Sequence, residues 1–547
     1  MSTLAPLGLT RTATAVLEAR GHTDPIATRA FLDPKLADLT PPHAMVDREA
    51  AVDRLAHAVR KGERVVVFGD YDVDGITATA VLASALAALG APPLTVLASR
   101  YDGGYGFSAR ALERVKARGP ALLVTCDCGS SDAPRLAALR EASIDAIVID
   151  HHLVPEGGLP VRAFLNPHRP ECGFPFKHLA SVGLALSVAA GLRAALGAAL
   201  DLRPLLDLVA LGTVADVAPL EGDNRALVRA GLRRIETAPR PGVEALVEAA
   251  GLRAGASIGG EDVAFKLAPR INAPGRLGAP DLSLQLLLST DVSAARGLAA
   301  QVEEVTKLRR TVERDVLDQA LAEVERTGQG ESPAIVVGGE GWNVGVVGIV
   351  AARLVDRYQV PAIVIAFEGE EGRGSARGPK GARLYDGLVA SKETMLGFGG
   401  HQAAAGVHLR RDRLDALREA FAAAHAHLPR AVRGAAPRVD ADLDPSDDLS
   451  RVVRDLSLFE PTGEGQPYVR LRVADARVVS ARIMKAEHLR LVVDHGGRLV
   501  DAFGYGLAHL GIGVGDHVDL IGSLRRDAYR GGSAVELRVL HAARRGA

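Results

Sequence analysis

The chain of 547 residues is longer than one hydrophobic core organises, so three or four domains are expected. Its 48% apolar and 24% charged residues are those of an ordinary globular protein, and no uncharged apolar run of about 20 residues offers a membrane span or a leader, which makes the cytoplasm the expected compartment. Cys126, Cys128 and Cys172 are too few for a disulfide framework and lack a second pair for zinc, while the net charge of −1 decides nothing about a polyanionic partner, because acidic metal ligands cancel a basic groove in the sum.

Residues 1–45 read as a helical lead-in, with Leu17, Phe31 and Leu32 as apolar anchors and Pro34, Pro41 and Pro42 as stops, expected to pack on the next domain. Residues 46–235 alternate strand-like runs at 65–68, 94–98, 121–125 and 146–149 with helical patterns at 77–89, from near Ala180, and at 204–211. That rhythm predicts an α/β domain with a doubly wound parallel sheet. Residues 236–330 form a linker region. It ends in a long helical pattern over 293–327 whose apolar positions Leu298, Val302, Val305, Leu308, Val312, Val316, Ala320 and Val324 make one stripe. Such a helix is roughly 50 Å long and is expected to connect separate bodies. Residues 331–430 form a second, smaller α/β unit with strands at 334–337 and 362–366, followed by glycine-rich stretches at 372–378 and 397–406 that, taken alone, read as turns rather than as phosphate-binding loops. Over 431–547, short alternating segments at 469–479, 489–494, 517–522 and 534–540 with Gly-Gly turns predict a small β-barrel of the oligonucleotide-binding kind.

Four acidic stretches carry the chemistry: Asp70-Tyr71-Asp72-Val73-Asp74-Gly75, Asp127-Cys128-Gly129, Asp150-His151-His152 and Gly212-Thr213-Val214-Ala215-Asp216. Three of them directly follow strand-like runs, so their carboxylates and imidazoles converge outside the carboxyl ends of the strands, where open α/β sheets bind ligands. Asp72 and Asp74 are expected on the same side of an extended stretch, with Asp127 bridging two cations and His151 and Asp216 completing the second set. Two divalent cations about 4 Å apart suit in-line displacement at phosphorus, hence phosphoester hydrolysis. Taken singly, Asp70 and Asp72 read as helix caps and Asp150 as a turn residue; the constellation outweighs that reading.

These motifs resemble those of the DHH phosphoesterase superfamily, and within it the single-strand-specific 5′ to 3′ DNA exonucleases. Matching stretches at 100–106, 269–276, 342–349, 374–377 and 399–401, the last three in a DHHA1-type domain, extend the resemblance over essentially the whole chain. It implies that Asp72, Asp74, Asp127, His151 and Asp216 ligate two manganese ions, with magnesium as the alternative, that Asp70 is a ligand or supports one, and that His152 faces the scissile phosphate. It implies Arg100, Ser375 and Arg377 for a 5′-terminal phosphate, Tyr105 as a stacking ring, and Arg270, Asn272, Arg276 and His401 along the strand. The implied protein is a monomeric, metal-dependent exodeoxyribonuclease of DNA recombination and repair. It releases 5′-mononucleotides from single-stranded DNA supplied by a helicase and a single-strand-binding protein.

Without the resemblance, Arg100 and Arg276 read as surface charges and His401 as an interior histidine; His168, His178, His408, His425 and His427 read as structural with or without it. The chain departs from the family pattern at Cys128, Ser181, Thr306, Asn343, Gly378 and the 461–467 stretch, none of them an implied ligand. The rival readings are a hydrolase of nanoRNA, cyclic dinucleotides or pyrophosphate, which leaves the barrel without a purpose, and a non-catalytic replication scaffold, against which the filled ligand positions speak.

Overall fold

The computed structural model describes residues 2–102, 106–253, 257–400, 402–426, 437–526 and 534–545; Tyr105, His401 and His427 lie outside them. The first sheet is parallel, in the order β2-β1-β3-β4-β5, built from β1 (Val65–Gly69), β2 (Leu94–Leu97), β3 (Leu122–Cys126), β4 (Asp145–Ile149) and β5 (Ala163–Leu165). The expected doubly wound sheet is therefore present, with one short strand more than its periodicity showed. The strand order reverses between β1 and β3, and that switch point opens a crevice at the carboxyl ends of the strands. Helices Val73–Ala88, Ser181–Ala195 and Leu206–Ala215 pack with one another beside it, and most of their residues are buried.

The helix expected from Thr77 begins at Val73, because the Asp72 carboxylate caps it by accepting from the Gly75 amide at 3.0 Å. This corrects the placement of Asp72 and Asp74 on one extended stretch: Asp72 is the cap and Asp74 lies in the first helical turn.

The connector helix, Val292–Arg326, has 35 residues. Ala295, Ala299 and Val302 complete the core of the first domain, whereas Val316, Ala320 and Val324 belong to the core of the second. Of the predicted stripe, Leu308 is 56% exposed, and the polar residues Thr306 and Arg309 are buried where the helix passes between the bodies. The second sheet has the order β6-β7-β8-β10-β9, from β6 (Ile335–Glu340), β7 (Ala362–Glu368), β8 (Glu371–Arg377), β9 (Gly397–Gly400) and β10 (Ala404–Arg410). The two glycine-rich stretches are thus largely strand.

At the C-terminal end, β11 (Ala441–Asp442), β12 (Leu471–Met484), β13 (His488–His495), β14 (Arg498–Gly504), β15 (His517–Arg526) and β16 (Val535–Arg544) form a sheet in the order β11-β12-β13-β14-β16-β15, closed into a barrel by β12 against β15. The N-terminal lead-in packs here rather than mainly on the next domain: Leu4, Val16, Leu17 and Leu32 share one core with Phe459, Leu471 and Val518. Arg20 pairs with Asp440 at 3.1 Å, and the Thr12 amide donates to Asp447 at 2.8 Å. A barrel this small leaves apolar surface over, and the lead-in covers it. No described helix is long and apolar enough to cross a membrane.

Candidate active site

Asp70, Asp127 and Asp150 are the first residues beyond β1, β3 and β4, and each continues a ladder by donating its amide to the neighbouring strand, to Cys126, Ile149 and Leu165 respectively. The parallel register therefore sets their side chains side by side at the switch point. Asp127 takes a left-handed backbone, φ 64°, which turns the chain sharply out of the sheet. Asp74 enters from the capping helix and Asp216 ends the Leu206–Ala215 helix. Gly212 permits that approach: a Cβ there would lie 2.3 Å from Thr77 Oγ1 and 3.0 Å from Asp74 Oδ1.

The donor atoms fall into overlapping groups, Asp70–Asp72–Asp127 on one side and Asp74–His151–Asp216 on the other, with Asp127 also grouped with His151 and His152. His151 Nε2 is 3.2 Å from Asp127, 3.6 Å from Asp216 and 3.9 Å from Asp74, and makes no hydrogen bond among the described residues. Neither carboxylate oxygen of Asp70 has a well-formed hydrogen bond, although both are buried and the Asp72 amide lies near. Burial first, and neighbouring carboxylates second, raise the pKa values of Asp70 and Asp127 and push Asp74 to about 7 and Asp216 to about 9. Acids packed this way with oxygen and imidazole donors, and with lone pairs unspent, fit two divalent cations of the manganese or magnesium kind. Asp127 is the shared ligand of that reading.

The supporting groups are specific. The amides of Ser181 and Val182, at a helix N-terminus, donate to Asp74 at 2.7 and 2.9 Å, and the Ser181 hydroxyl donates to Asp127 at 3.0 Å. Asp150 is no ligand in this arrangement. It accepts from the amides of Ser130, His151 and His152 and from His152 Nδ1, and although burial opposes its charge, these partners hold its pKa below the usual carboxylate range. The two imidazoles are consequently pushed apart. Burial and the neighbouring His152 lower His151 to about 4, whereas His152, against its own burial, is raised by the hydrogen bond and charge of Asp150. A neutral His151 suits a ligand, and a His152 whose charged form is favoured by Asp150 suits a phosphate. Ser181→Ala is expected to weaken manganese binding on the order of tenfold, since the helix amides remain but Asp127 loses its hydroxyl donor; an unchanged half-saturating manganese concentration would assign Ser181 no such role.

A cationic pocket adjoins the acidic one. Arg100 stacks on Tyr71 with its guanidinium carbon 4.0 Å from the ring centre, and its buried Nε has no hydrogen-bond partner among the described residues. Arg377 ends β8, and a Cβ on Gly348 would lie 3.0 Å from its Nη2 and 3.2 Å from Ser375 Oγ, so Ser375 and Arg377 face one spot at the start of the Val347–Tyr358 helix. Arg276 donates to the Gly345 carbonyl at 2.9 Å, and its pKa falls to about 9, through burial first and then the charges of Arg100, Arg309 and Arg377. Among the described residues none of Arg100, Arg276 and Arg377 has a carboxylate partner within ion-pair distance, and guanidiniums crowded in this way call for an anion. Tyr101 Oη donates to the Arg276 carbonyl at 3.0 Å and meets Asn343 Nδ2 at 3.3 Å, tying the two α/β domains together beside the pocket.

The structure thus brings together Arg100, Arg276, Ser375 and Arg377, and separately Asp70, Asp72, Asp74, Asp127, His151, His152 and Asp216. Arg270 is partnered within the chain: its buried guanidinium pairs with Glu303 of the connector helix at 2.7 Å and donates to the Lys266 carbonyl. Asn272 is half-buried on the helix Ala268–Arg276. The expected roles of Tyr105 and His401 fall outside the described residues. Sequence reasoning missed an aromatic group on the outside of the barrel, where Tyr505 lies 4.8 Å from Phe503 and 5.1 Å from His488, with Arg538 5.4 Å above its ring. The register pairs Arg490 with Phe503 and Phe503 with Arg538. The signal was there, as the alternation of inward Val500 and Ala502 with outward Asp501 and Phe503, but β14 was not recognised as a strand.

Family models place a DHH family N-terminal domain at residues 64–213, a DHHA1 domain at 331–426 and a RecJ OB domain at 439–541. The chain is 33% identical over 551 residues to the single-stranded-DNA-specific exonuclease RecJ of Bacillus subtilis, covering 98% of this chain and 68% of that protein. It is 34% identical to the RecJ of Escherichia coli, covering 84% and 83%. The crystal structure of RecJ in complex with Mn2+ from Thermus thermophilus superposes with a TM-score of 0.83 at 31% identity, covering 100% of this chain and 78% of that one; the Mg2+ complex of the same protein gives 0.77. With all three domains in order, and with relatives matched over most of their own length, the chain belongs to the RecJ family of DHH proteins.

Proposed function

We propose that the protein is a divalent-metal-dependent exonuclease that degrades single-stranded DNA from its 5′ end. One observation carries the reading: a two-group acidic centre that shares Asp127 adjoins a pocket of Arg100, Arg276, Ser375 and Arg377 drawn from both α/β domains. The acidic centre would hold manganese or magnesium through Asp70, Asp72, Asp74, Asp127, His151 and Asp216. Bound there, such ions supply water activation and neutralisation of phosphate charge.

The chain's own residues do the rest. Ser375 and the guanidiniums hold a terminal phosphate, the latter bidentately, and fix how far the strand enters. His152, its Nδ1–H held by the acceptor-only Asp150, presents Nε2–H to the reacting phosphate and can donate its proton to the departing oxygen. Farther out, Tyr505, Phe503 and His488 offer stacking faces and Arg490 and Arg538 offer charge, a combination that grips single strands without choosing sequence. Single strands freed by a helicase and covered by a single-strand-binding protein are the natural supply, and three buried free cysteines suit the cytoplasm.

The deciding experiment is digestion of one single strand labelled at either end, with manganese and with chelator. Loss of the 5′ label as mononucleotide at the first time points, only with metal, is the expected result. Initial loss of the 3′ label would reverse the polarity, and equal attack on duplex would remove the single-strand preference.

A further inference from the structure

The 461–466 stretch, between the Leu449–Ser457 helix and the barrel, contributes nothing to the barrel's outer aromatic face. It closes a tight turn on itself, Gly463 N to the Gln466 carbonyl at 2.7 Å, and crosses to the catalytic domain, where the Leu220 amide donates to the Glu464 carbonyl at 2.9 Å. The turn sits flush on residues 219 and 220: a Cβ on Gly463 would lie 2.8 Å from Leu220 Cδ1, and one on Gly465 would lie 3.6 Å from Pro219 Cβ.

These are the residues that leave Asp216. Asp74 is held by two helix amides and Asp127 by the Ser181 hydroxyl, but among the described residues the Asp216 carboxylate accepts no hydrogen bond, and its one close partner is His151 at 3.6 Å. Its position therefore depends on its backbone. The next residue, Val217, is β-branched, 62% exposed and left-handed at φ 60°, where the helix Leu206–Ala215 is closed by the Val217 amide on the Val214 carbonyl at 3.2 Å and the Ala218 amide on the Thr213 carbonyl at 3.3 Å. Beyond that turn, two contacts hold the outgoing chain: the strap on Leu220, and Asn224, fully buried, which donates to the Pro219 carbonyl at 3.0 Å and to the His178 carbonyl at 2.6 Å.

The strap is itself fixed at its base. Arg225, beside Asn224, spreads its guanidinium over the carbonyls of Phe31, Phe459 and Pro461 at 2.8, 2.9 and 3.0 Å and stacks on the Phe31 ring at 3.8 Å. Glu460 accepts from the amides of Gly260 and Thr462, both at 2.9 Å. Lead-in, barrel and catalytic domain meet at this point.

We propose that the 461–466 strap is a positioning element for Asp216, so that the chain entering the barrel sets the metal affinity of the Asp74–His151–Asp216 half of the centre. The proposal rests on the reading of the acidic cluster as a metal centre. It makes Arg225 and Gly260 positioning residues for a site neither of them touches.

The test uses the full chain and manganese alone. In Gly260→Ala the new Cβ would stand 2.0 Å from the Thr462 carbonyl oxygen, so the strap must lift while the metal-ligating residues are unchanged. Arg225→Lys keeps the charge but loses the guanidinium fork. Manganese titration followed by electron paramagnetic resonance is expected to show one of two sites weakened about tenfold in either variant. Hydrogen exchange of the Val217, Ala218 and Leu220 amides should quicken in the same proteins. Asp74→Asn is the control: if it leaves both manganese sites intact, the metal-centre reading fails. If Asp74→Asn removes a site while Gly260→Ala and Arg225→Lys titrate as the parent despite faster exchange at the strap, the positioning role is overturned. Should neither variant fold, the parent protein decides alone: manganese is expected to slow exchange of the Leu220 amide, and no protection there overturns the proposal.

Discussion

Asp127→Asn is expected to lower turnover of single-stranded DNA by at least about a thousandfold while leaving the protein folded, and to make the metal-free protein more stable at alkaline pH. The first effect follows from its place in two donor groups: among the described residues it is the one carboxylate grouped both with Asp70 and Asp72 and with His151 and His152. The second follows from linkage. Burial, then the charges of Asp72, Asp74, Asp216 and Asp150, hold the Asp127 pKa well above the usual carboxylate value, and Asp70, Asp74 and Asp216 are raised alike. An acid with a higher pKa folded than unfolded binds more protons in the native state. Its stability is therefore complete below the unfolded pKa of about 4 and declines as pH rises toward the folded one. For Asp74 that decline runs to about 7 and for Asp216 to about 9.

Chelated parent protein should accordingly melt at least about 5 °C lower near pH 9 than near pH 5, and manganese should remove most of that slope. Asparagine is the neutral isostere of the protonated acid, so Asp127→Asn should show a shallower slope and, without metal, overtake the parent above neutrality. Melting curves across pH, with chelator and with manganese, measure both. A pH-independent melting point in chelator would mean that the cluster is not strained by its own charge. This is the stability cost of a site arranged to be completed by cations.

The acidic centre was legible because parallel strands advertise themselves. Val65 to Phe68 and Leu122 to Thr125 are unbroken runs buried on both faces, and the residues directly after such a run lie at the carboxyl edge of the sheet. The local geometry of Asp72 and Asp74 was only half legible: Asp72 read singly as a helix cap, which it is, but the extended-stretch reading of the acidic cluster placed Asp74 beside it instead of in the first helical turn. The Arg100 pocket could be located in sequence only through family resemblance, since Arg100 and Arg377 lie 277 positions apart and meet through the connector helix. The lead-in was misplaced for a related reason. Leu17 and Leu32 announce a buried face, but nothing in their spacing says that the surface they cover lies more than 400 residues away, beside Phe459 and Leu471. The 461–467 stretch stood out in the sequence only as a departure from the family pattern, and its contacts with Leu220 and Arg225 show which body it serves.

Arg377→Ala is expected to lower kcat/KM for a 5′-phosphorylated strand about a hundredfold, chiefly through KM, and to leave a strand bearing a 5′-hydroxyl almost unaffected. Charge decides the difference. Among the described residues Arg100, Arg276 and Arg377 have no carboxylate in ion-pair range, and the pKa values of Arg276 and Arg377 are depressed, by burial first and then by neighbouring guanidiniums. A terminal phosphate relieves that repulsion and fills bidentate donors; an internal phosphodiester carries half the charge and reaches the acidic centre without it. Lysine at 377 should recover only part of the loss, because a point charge does not reproduce the fork. Removing Arg377 also removes a repulsive neighbour, so the phosphate-free variant should melt no lower than the parent despite a lost side chain, and added inorganic phosphate should stabilise it less. If the preference for a 5′-phosphate survives in both Arg377→Ala and Arg100→Ala, this pocket does not read the strand end, and the polarity of the enzyme must be set by the path of the strand between the barrel and the acidic centre.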